Sequence, residues 1–186
     1  DTSGFNAGEM GAALWLANKI ISDINGLLPA AWVLWQVIDS HISSYGYMGN
    51  KDSGKPDYTG GYWGLATADH DSKKIILSMK YYAMGQFSRY IRPNDTIIQA
   101  GEHIIASWNQ EERKLVLVMV NDTNEKQSCR VDLDEFALRG AKICRIRTCG
   151  SIENGEHWNQ LESSVLTENI FETELKENSI TTFVIR

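Results

Sequence analysis

The hydrophobic pattern changes character near the middle of the chain. Over Asn6–Gly26, Leu14, Ala17, Ile20, Ile21 and Ile24 recur at helical spacing and make one apolar face. Asn6 can cap this helix, with Glu9 three residues on in a capping-box arrangement. Gly26 suits its end, and Pro29 prevents resumption. Ala31–Asp39 follows as a near-continuous apolar run of strand length. Trp32 and Leu34 fall on one alternating set, and Val33, Trp35 and Val37 on the other. That pattern predicts a strand buried on both faces, of the kind found in parallel sheets covered by helices. Its polar residues, Gln36 and Asp39, come near the C-terminal end, where parallel α/β folds bind ligands. Residues 41–71 show no periodicity and are rich in Gly, Ser, Tyr and Asp. Loops this long are functional or disordered, and Tyr45, Tyr47, Tyr58, Tyr62 and Trp63 weigh against disorder. A second helix is expected from Asp71 or Ser72 to about Tyr90, with Ile75, Ile76, Met79, Tyr82, Ala83 and Phe87 on its apolar face and Pro93 stopping it.

After Asp95 the pattern predicts strands and turns only. His103–Asn109 and Lys114–Asn121 read as a hairpin. Leu115–Val120 is apolar at every position and should be a central strand covered on both faces. Gln127–Asp134 alternates and reads as half-exposed. Ala141–Thr148 is another strand, Ser164–Leu175 holds one or two more, and Ile180–Ile185 closes the chain. Strands at this spacing indicate an antiparallel sandwich. The expected organisation is α/β followed by all-β. The second half is close to self-contained. The first half is a single parallel-sheet strand with two helices, which needs neighbours from elsewhere.

Composition narrows the function classes. The chain has 186 residues, 42% of them hydrophobic, enough for a core. The formal net charge of -6, with no basic block, disfavours nucleic acid and anionic lipid as partners. No apolar run approaches the roughly 20 residues of a membrane span. Cys129, Cys144 and Cys149 form no zinc pattern, and their odd number argues against a full disulfide framework. They read as buried or half-buried thiols, with one bridge between Cys144 and Cys149 as the alternative. His41, His70, His103 and His157 show no metal-ligand spacing, so neither metal nor cofactor is expected.

Three stretches carry a resemblance. Lys80–Asp95 contains Gly85, Phe87, Ser88, Arg89, Tyr90, Ile91 and Pro93 in a fixed pattern; Trp32, Trp35 and Gln36 stand in the apolar run; Gly60–Trp63 reads GGYW. Together with the closing strand, these resemble the C-terminal part of glycoside hydrolase family 30, in order and spacing over essentially the whole chain. The resemblance implies a (β/α)8 barrel fused to a side β-sandwich. Residues 1–95 would be the barrel's last helix, strand and helix, and residues 96–186 the sandwich. It implies retaining hydrolysis by two glutamates, one attacking the anomeric carbon while the other, about 5–5.5 Å away, protonates the leaving oxygen. The family places the acid/base after strand four and the nucleophile at the end of strand seven, so both would lie outside this chain. Glu9 falls at the start of the following helix and reads as a helix N-terminal acid. The chain alone is therefore expected to be catalytically incomplete.

By the same resemblance, Trp35 would face the sugar, Gln36 and Asp39 could hydrogen-bond its hydroxyls, and Tyr62 and Trp63 would line the pocket. The implied partners are an oligosaccharide or polysaccharide and the rest of the barrel, in a secreted parent. The endo-β-1,6-galactanase branch looks nearest. Lys51 and Lys55 are the only basic residues between Asp39 and Asp71, which disfavours a glucuronoxylan substrate. Trp108 and Trp158 could form a sugar platform on the sandwich or pack within it. The alternative function is a non-catalytic carbohydrate-binding or structural β-module.

Overall fold

The computed structural model describes residues 6–42 and 63–186, without the side chains of 40 and 42. At its centre lie two antiparallel strands, β6 (Lys114–Asn121) and β11 (Ser179–Ile185), in which every residue is buried. Around them runs a six-stranded sheet. β4 (Thr96–Ile98) and β5 (Ile104–Asn109) extend it on the β6 side, and β8 (Lys142–Cys149) and β9 (Glu156–Val165) on the β11 side. Alternation sorts the side chains of β6 cleanly. Val116, Val118 and Val120 enter one core, and Leu115, Leu117 and Met119 the other. The expected central strand is thus present with the expected bounds, and the expected sandwich with it.

One face of this sheet is covered by a two-stranded sheet, β7 (Gln127–Asp132) paired with β10 (Ile170–Leu175). Leu133, Leu138 and Leu166 from the connections complete that core. The other face is covered by helices α1 (Met10–Leu27) and α2 (Met79–Ser88). Leu14, Ala17, Ile20 and Ile21 of α1 are buried there, with Ile24 half-buried beside them. The helices thus find their cover on the sandwich.

Three local expectations are corrected. No capping box forms: α1 starts at Met10, Glu9 occupies the cap position without a side-chain bond, and Asn6 makes a turn in which its carbonyl accepts the Glu9 N–H at 2.8 Å. The helix ends on Leu28 in the left-handed region, with Gly26 still inside it. The second helix starts at Met79. Lys74–Leu77, expected within it, is strand β3, antiparallel to β2 (Ala66–Asp69). Asp71 and Ser72 lie in the intervening turn, their N–H groups donating to Asp69 Oδ1 at 3.1 Å each. Among the described residues, 31–36 pair with no strand. The strand there is β1 (Ile38–Ile42), parallel to β2, and the apolar run before it is not buried on both faces. The sequence also left residues 156–163, most of the strand Glu156–Val165, unassigned. All three cysteines are free thiols.

Two contacts fix α2 on the sheet. A Cβ on Gly85 would lie 2.1 Å from the Trp158 ring, so only glycine admits the indole, whose Nε1 donates to the Tyr82 carbonyl at 2.7 Å. Arg89 stacks over the same ring at 4.2 Å. Buried Gln86 donates to Thr148 Oγ1 at 2.8 Å and accepts from Thr182 Oγ1 at 2.6 Å, satisfying both hydroxyls. Trp108 tilts against Phe136 and donates to Gln110 Oε1. Both candidate platform tryptophans are therefore engaged in packing.

Gly85→Ala should destabilise the fold by about 1–3 kcal/mol through this clash. With Trp158→Ala it should become neutral or stabilising, since alanine is the better helix former by about 1 kcal/mol. Urea unfolding of the two single variants and the double variant checks this. At the sheet edge, Arg147 donates twice to Glu156, at 2.5 and 2.8 Å, and holds its carboxyl down at about 2. A depressed carboxyl contributes stability above its unfolded value, near 4.5, and loses it as pH falls toward 2. Glu156→Gln should remove that part of the acid limb, read from unfolding midpoints at pH 6, 4 and 2.5.

Candidate functional site

The segment between α1 and β1 alternates in burial residue by residue. Trp32 and Leu34 pack toward the helices. Trp32 also donates its indole N–H to Asp23 Oδ2 at 3.1 Å, and Asp23 is paired with Lys19 at 2.7 Å. These two bonds, Lys19 first, hold the Asp23 carboxyl below its usual range. The opposite set points outward: Val33 is 84% exposed, Trp35 83% and Val37 58%. The Trp35–Gln36 peptide bond is cis.

The polar end of this segment meets the chain again at Trp63–Ala66. Val37 O accepts N–H bonds from both Leu65 and Ala66 at 2.9 Å. Gly64 lies so close to the Gln36–Asp39 backbone that a Cβ on it would stand 2.8 Å from both Asp39 N and Asp39 Cβ. Gln36 donates to Asp39 Oδ1 at 3.3 Å. Of the residues singled out from the sequence, Trp35, Gln36, Asp39 and Trp63 therefore lie on one short stretch of surface, with Trp63 42% exposed. Tyr62 lies outside the described residues.

The sequence reading gave Lys80 no role at this site. It opens α2, is 1% exposed, and burial lowers its ammonium to about 8, while the nearby Asp39 charge pulls the other way. Its only sequence signal was its place at the head of the helix motif. On the outer rim, His41 Nδ1 and His70 Nε2 stand 2.9 Å apart with stacked rings, so one donates and the other accepts. Glu9 is exposed and pairs with Ser151 of the sandwich as an isolated bridge, which ties the start of α1 to the turn before β9. Among the described residues no three His, Cys, Asp or Glu side chains converge as metal ligands. No helix among them is long and apolar enough to cross a membrane. What the arrangement offers is two exposed indoles, Trp35 and Trp63, near the hydrogen-bonding groups of Gln36 and Asp39, chemistry suited to a sugar face and its hydroxyls.

No protein-family model matches the sequence. An endo-beta-1,6-galactanase from Hypocrea rufa is 22% identical over 170 residues, covering 90% of this chain and 31% of the relative. Among solved structures, the catalytic domain of GH30 xylanase C from Talaromyces cellulolyticus superposes with a TM-score of 0.69 at 18% identity, over 100% of this chain and 38% of that one. A GH30 endoxylanase from Clostridium papyrosolvens gives 0.65 at 16% identity, over 98% and 40%. The chain thus spans between three and four tenths of the length of these relatives. It resembles the C-terminal part of glycoside hydrolase family 30 in sequence and in fold.

The buried lysine sets a pH signature. Its folded value, about 8, is below the 10.5 of a free lysine, so between these values the unfolded chain binds more protons than the folded one. Stability from this group therefore rises with pH from about 8 to about 10.5. Lys80→Met should be at least as stable as the parent chain at pH 7, and that advantage should shrink by pH 10. Urea midpoints of both proteins at pH 7, 8.5 and 10 check it.

Proposed function

We propose that this chain is the C-terminal part of a secreted retaining glycosidase that cleaves a β-linked polysaccharide. Residues 1–95 would contribute the last helix, strand and helix of a (β/α)8 barrel, and residues 96–186 its side sandwich. The observation that carries this is the alternation at residues 32–37. A barrel strand sends one set of side chains to its helices and the other into the barrel. Trp32 and Leu34 already have their helical cover, whereas Val33, Trp35 and Val37 present large apolar groups to water. Neighbouring barrel strands would cover that second set.

In this reading Trp35 stacks on the sugar next to the scissile bond, Gln36 and Asp39 bind hydroxyls, and Lys80 positions Asp39. Tyr62 and Trp63 belong to the loop lining the pocket. Glu9, at the start of α1 and bridged to the sandwich, is read as a helix N-terminal acid. Both catalytic carboxylates would come from the rest of the barrel, so the chain alone is incomplete for catalysis. The relationship to an endo-beta-1,6-galactanase favours a β-1,6-galactan substrate, and the absence of arginine between residues 39 and 71 is consistent with an uncharged sugar.

The isolated chain should turn over neither an aryl β-galactoside nor β-1,6-galactan, and should enhance the fluorescence of an apolar dye, an enhancement that falls on Trp35→Ser. Turnover by the chain alone, lost on Glu9→Gln, would overturn this. In the product of the complete reading frame, Trp35→Ala should lower kcat/KM on β-1,6-galactan by roughly tenfold or more, about 1.4 kcal/mol of transition-state binding. An unchanged kcat/KM would remove Trp35 from the site.

A further inference from the structure

A second candidate site lies on the sandwich, on the face of the six-stranded sheet opposite α1 and α2. Along β8, alternate side chains face the β7–β10 sheet. Ile143 enters that core, and Arg145 is paired across the ladder with Phe183, whose ring meets Phe171 of β10 at 5.6 Å. Arg145 therefore points into the space between the two sheets. The β7–β10 sheet is too narrow to close that space. Between β8, the end of β9 and the free edge of β10 it leaves a groove of about 360 Å³, lined by Ile143, Arg145, Ser164, Leu166, Phe171 and Thr173.

The two arginines on this face differ. Arg147 is held by Glu156 through two hydrogen bonds. Arg145 has no ion pair among the described residues, and its Nε is buried without an acceptor. A buried guanidinium N–H without an acceptor is costly to the fold, and an acceptor from outside the chain would relieve it. The planar fork of arginine matches a carboxylate. Ser164 and Thr173 supply hydroxyls, and Phe171 and Leu166 supply apolar surface, a mixture that fits a ring bearing hydroxyls. Glu172 also lines the groove, and its charge opposes a dianion such as phosphate more strongly than the single charge of a carboxylate.

We propose that this groove binds a carboxylate-bearing sugar, a uronic acid or a uronate residue of a polysaccharide, with Arg145 as its anchor. The proposal stands apart from the glycosidase reading. The site would act as a point of attachment, not of chemistry.

The experiment is calorimetric titration of the whole chain with D-glucuronate and D-galacturonate at low salt, beside D-glucose, D-galactose and inorganic phosphate. Saturable uronate binding is expected, at least tenfold tighter than the neutral sugars or phosphate, and weakened by added salt. Arg145→Gln should weaken it tenfold or more without lowering the thermal midpoint, because the unpaired guanidinium is gone. Thr173→Val, which leaves Arg145 in place, should weaken it several-fold, so the proposal remains testable if Arg145→Gln fails to fold. Absence of saturable uronate binding, uronate binding indifferent to both substitutions, or phosphate binding as tight as uronate would overturn the proposal.

Discussion

β6 and β11 are apolar on both faces, and a sheet with such a centre cannot leave either face to water. Each of their Val, Leu, Ile, Met and Phe side chains contributes roughly 1.5–3 kcal/mol only if something lies on top of it. The sandwich therefore needs two covers. β7 and β10, with Leu133, Leu138 and Leu166, supply one, and α1 and α2 the other. The rest of the molecule follows from how those covers are anchored. The Gly85–Trp158 contact and the hydrogen bonds of Gln86 set α2 on the sheet. The placement of α2 puts Lys80 near Asp39. The site on residues 35–39 is thus held from below by the sandwich, although none of its residues belongs to it.

Both covers are partial, and each gap carries a candidate function. The helical layer is packed on the sandwich side, and the segment across α1 and α2 turns Val33, Trp35 and Val37 outward. The two-stranded sheet leaves the β8 side of the second core open, where Arg145 lies. The gaps differ in chemistry. The first is aromatic and aliphatic with polar groups at one end, as a surface awaiting strands and a sugar would be. The second is a polar groove centred on a charge that lacks its partner.

How much of this could be read from the sequence depended on how local the deciding interaction was. β6 is legible because six consecutive apolar residues of strand length have one sensible place. β9 is not: Glu156–Val165 is largely exposed, Trp158 takes a positive φ of 55°, and the apolar alternation that marks a strand is missing. Lys74–Leu77 was misread as helix because Ile75, Ile76 and Met79 also satisfy a helical spacing. The deciding interaction was pairing with Ala66–Asp69, which no local pattern reveals. The run from Ala31 to Asp39 shows the same limit from the other side. Its two apolar sets were read as buried on both faces; the structure covers only the set of Trp32 and Leu34, and periodicity says nothing about which set finds cover. At the candidate site, the grouping of Trp35, Gln36 and Asp39 was suggested by pattern, and Trp63 by resemblance. Lys80 and the contact of Gly64 with Asp39 were not, because both are set by the way the chain returns at residues 63–66.

The residues that carry the family resemblance most strongly can now be given physical work. Gly85 admits the Trp158 indole, Phe87 is buried in the helix-side core, Arg89 covers the outer face of the same indole, and Ile91 packs at its margin. Pro93 lies beyond the helix end, where its missing N–H is no loss. Every one of these roles concerns how the last helix seats on the sandwich, and none reaches the surface where a substrate would lie. A match in this motif therefore supports the architecture and leaves the sugar open. Substrate identity has to be argued from residues 35–39 and Trp63, which lie off the α2–sandwich contact.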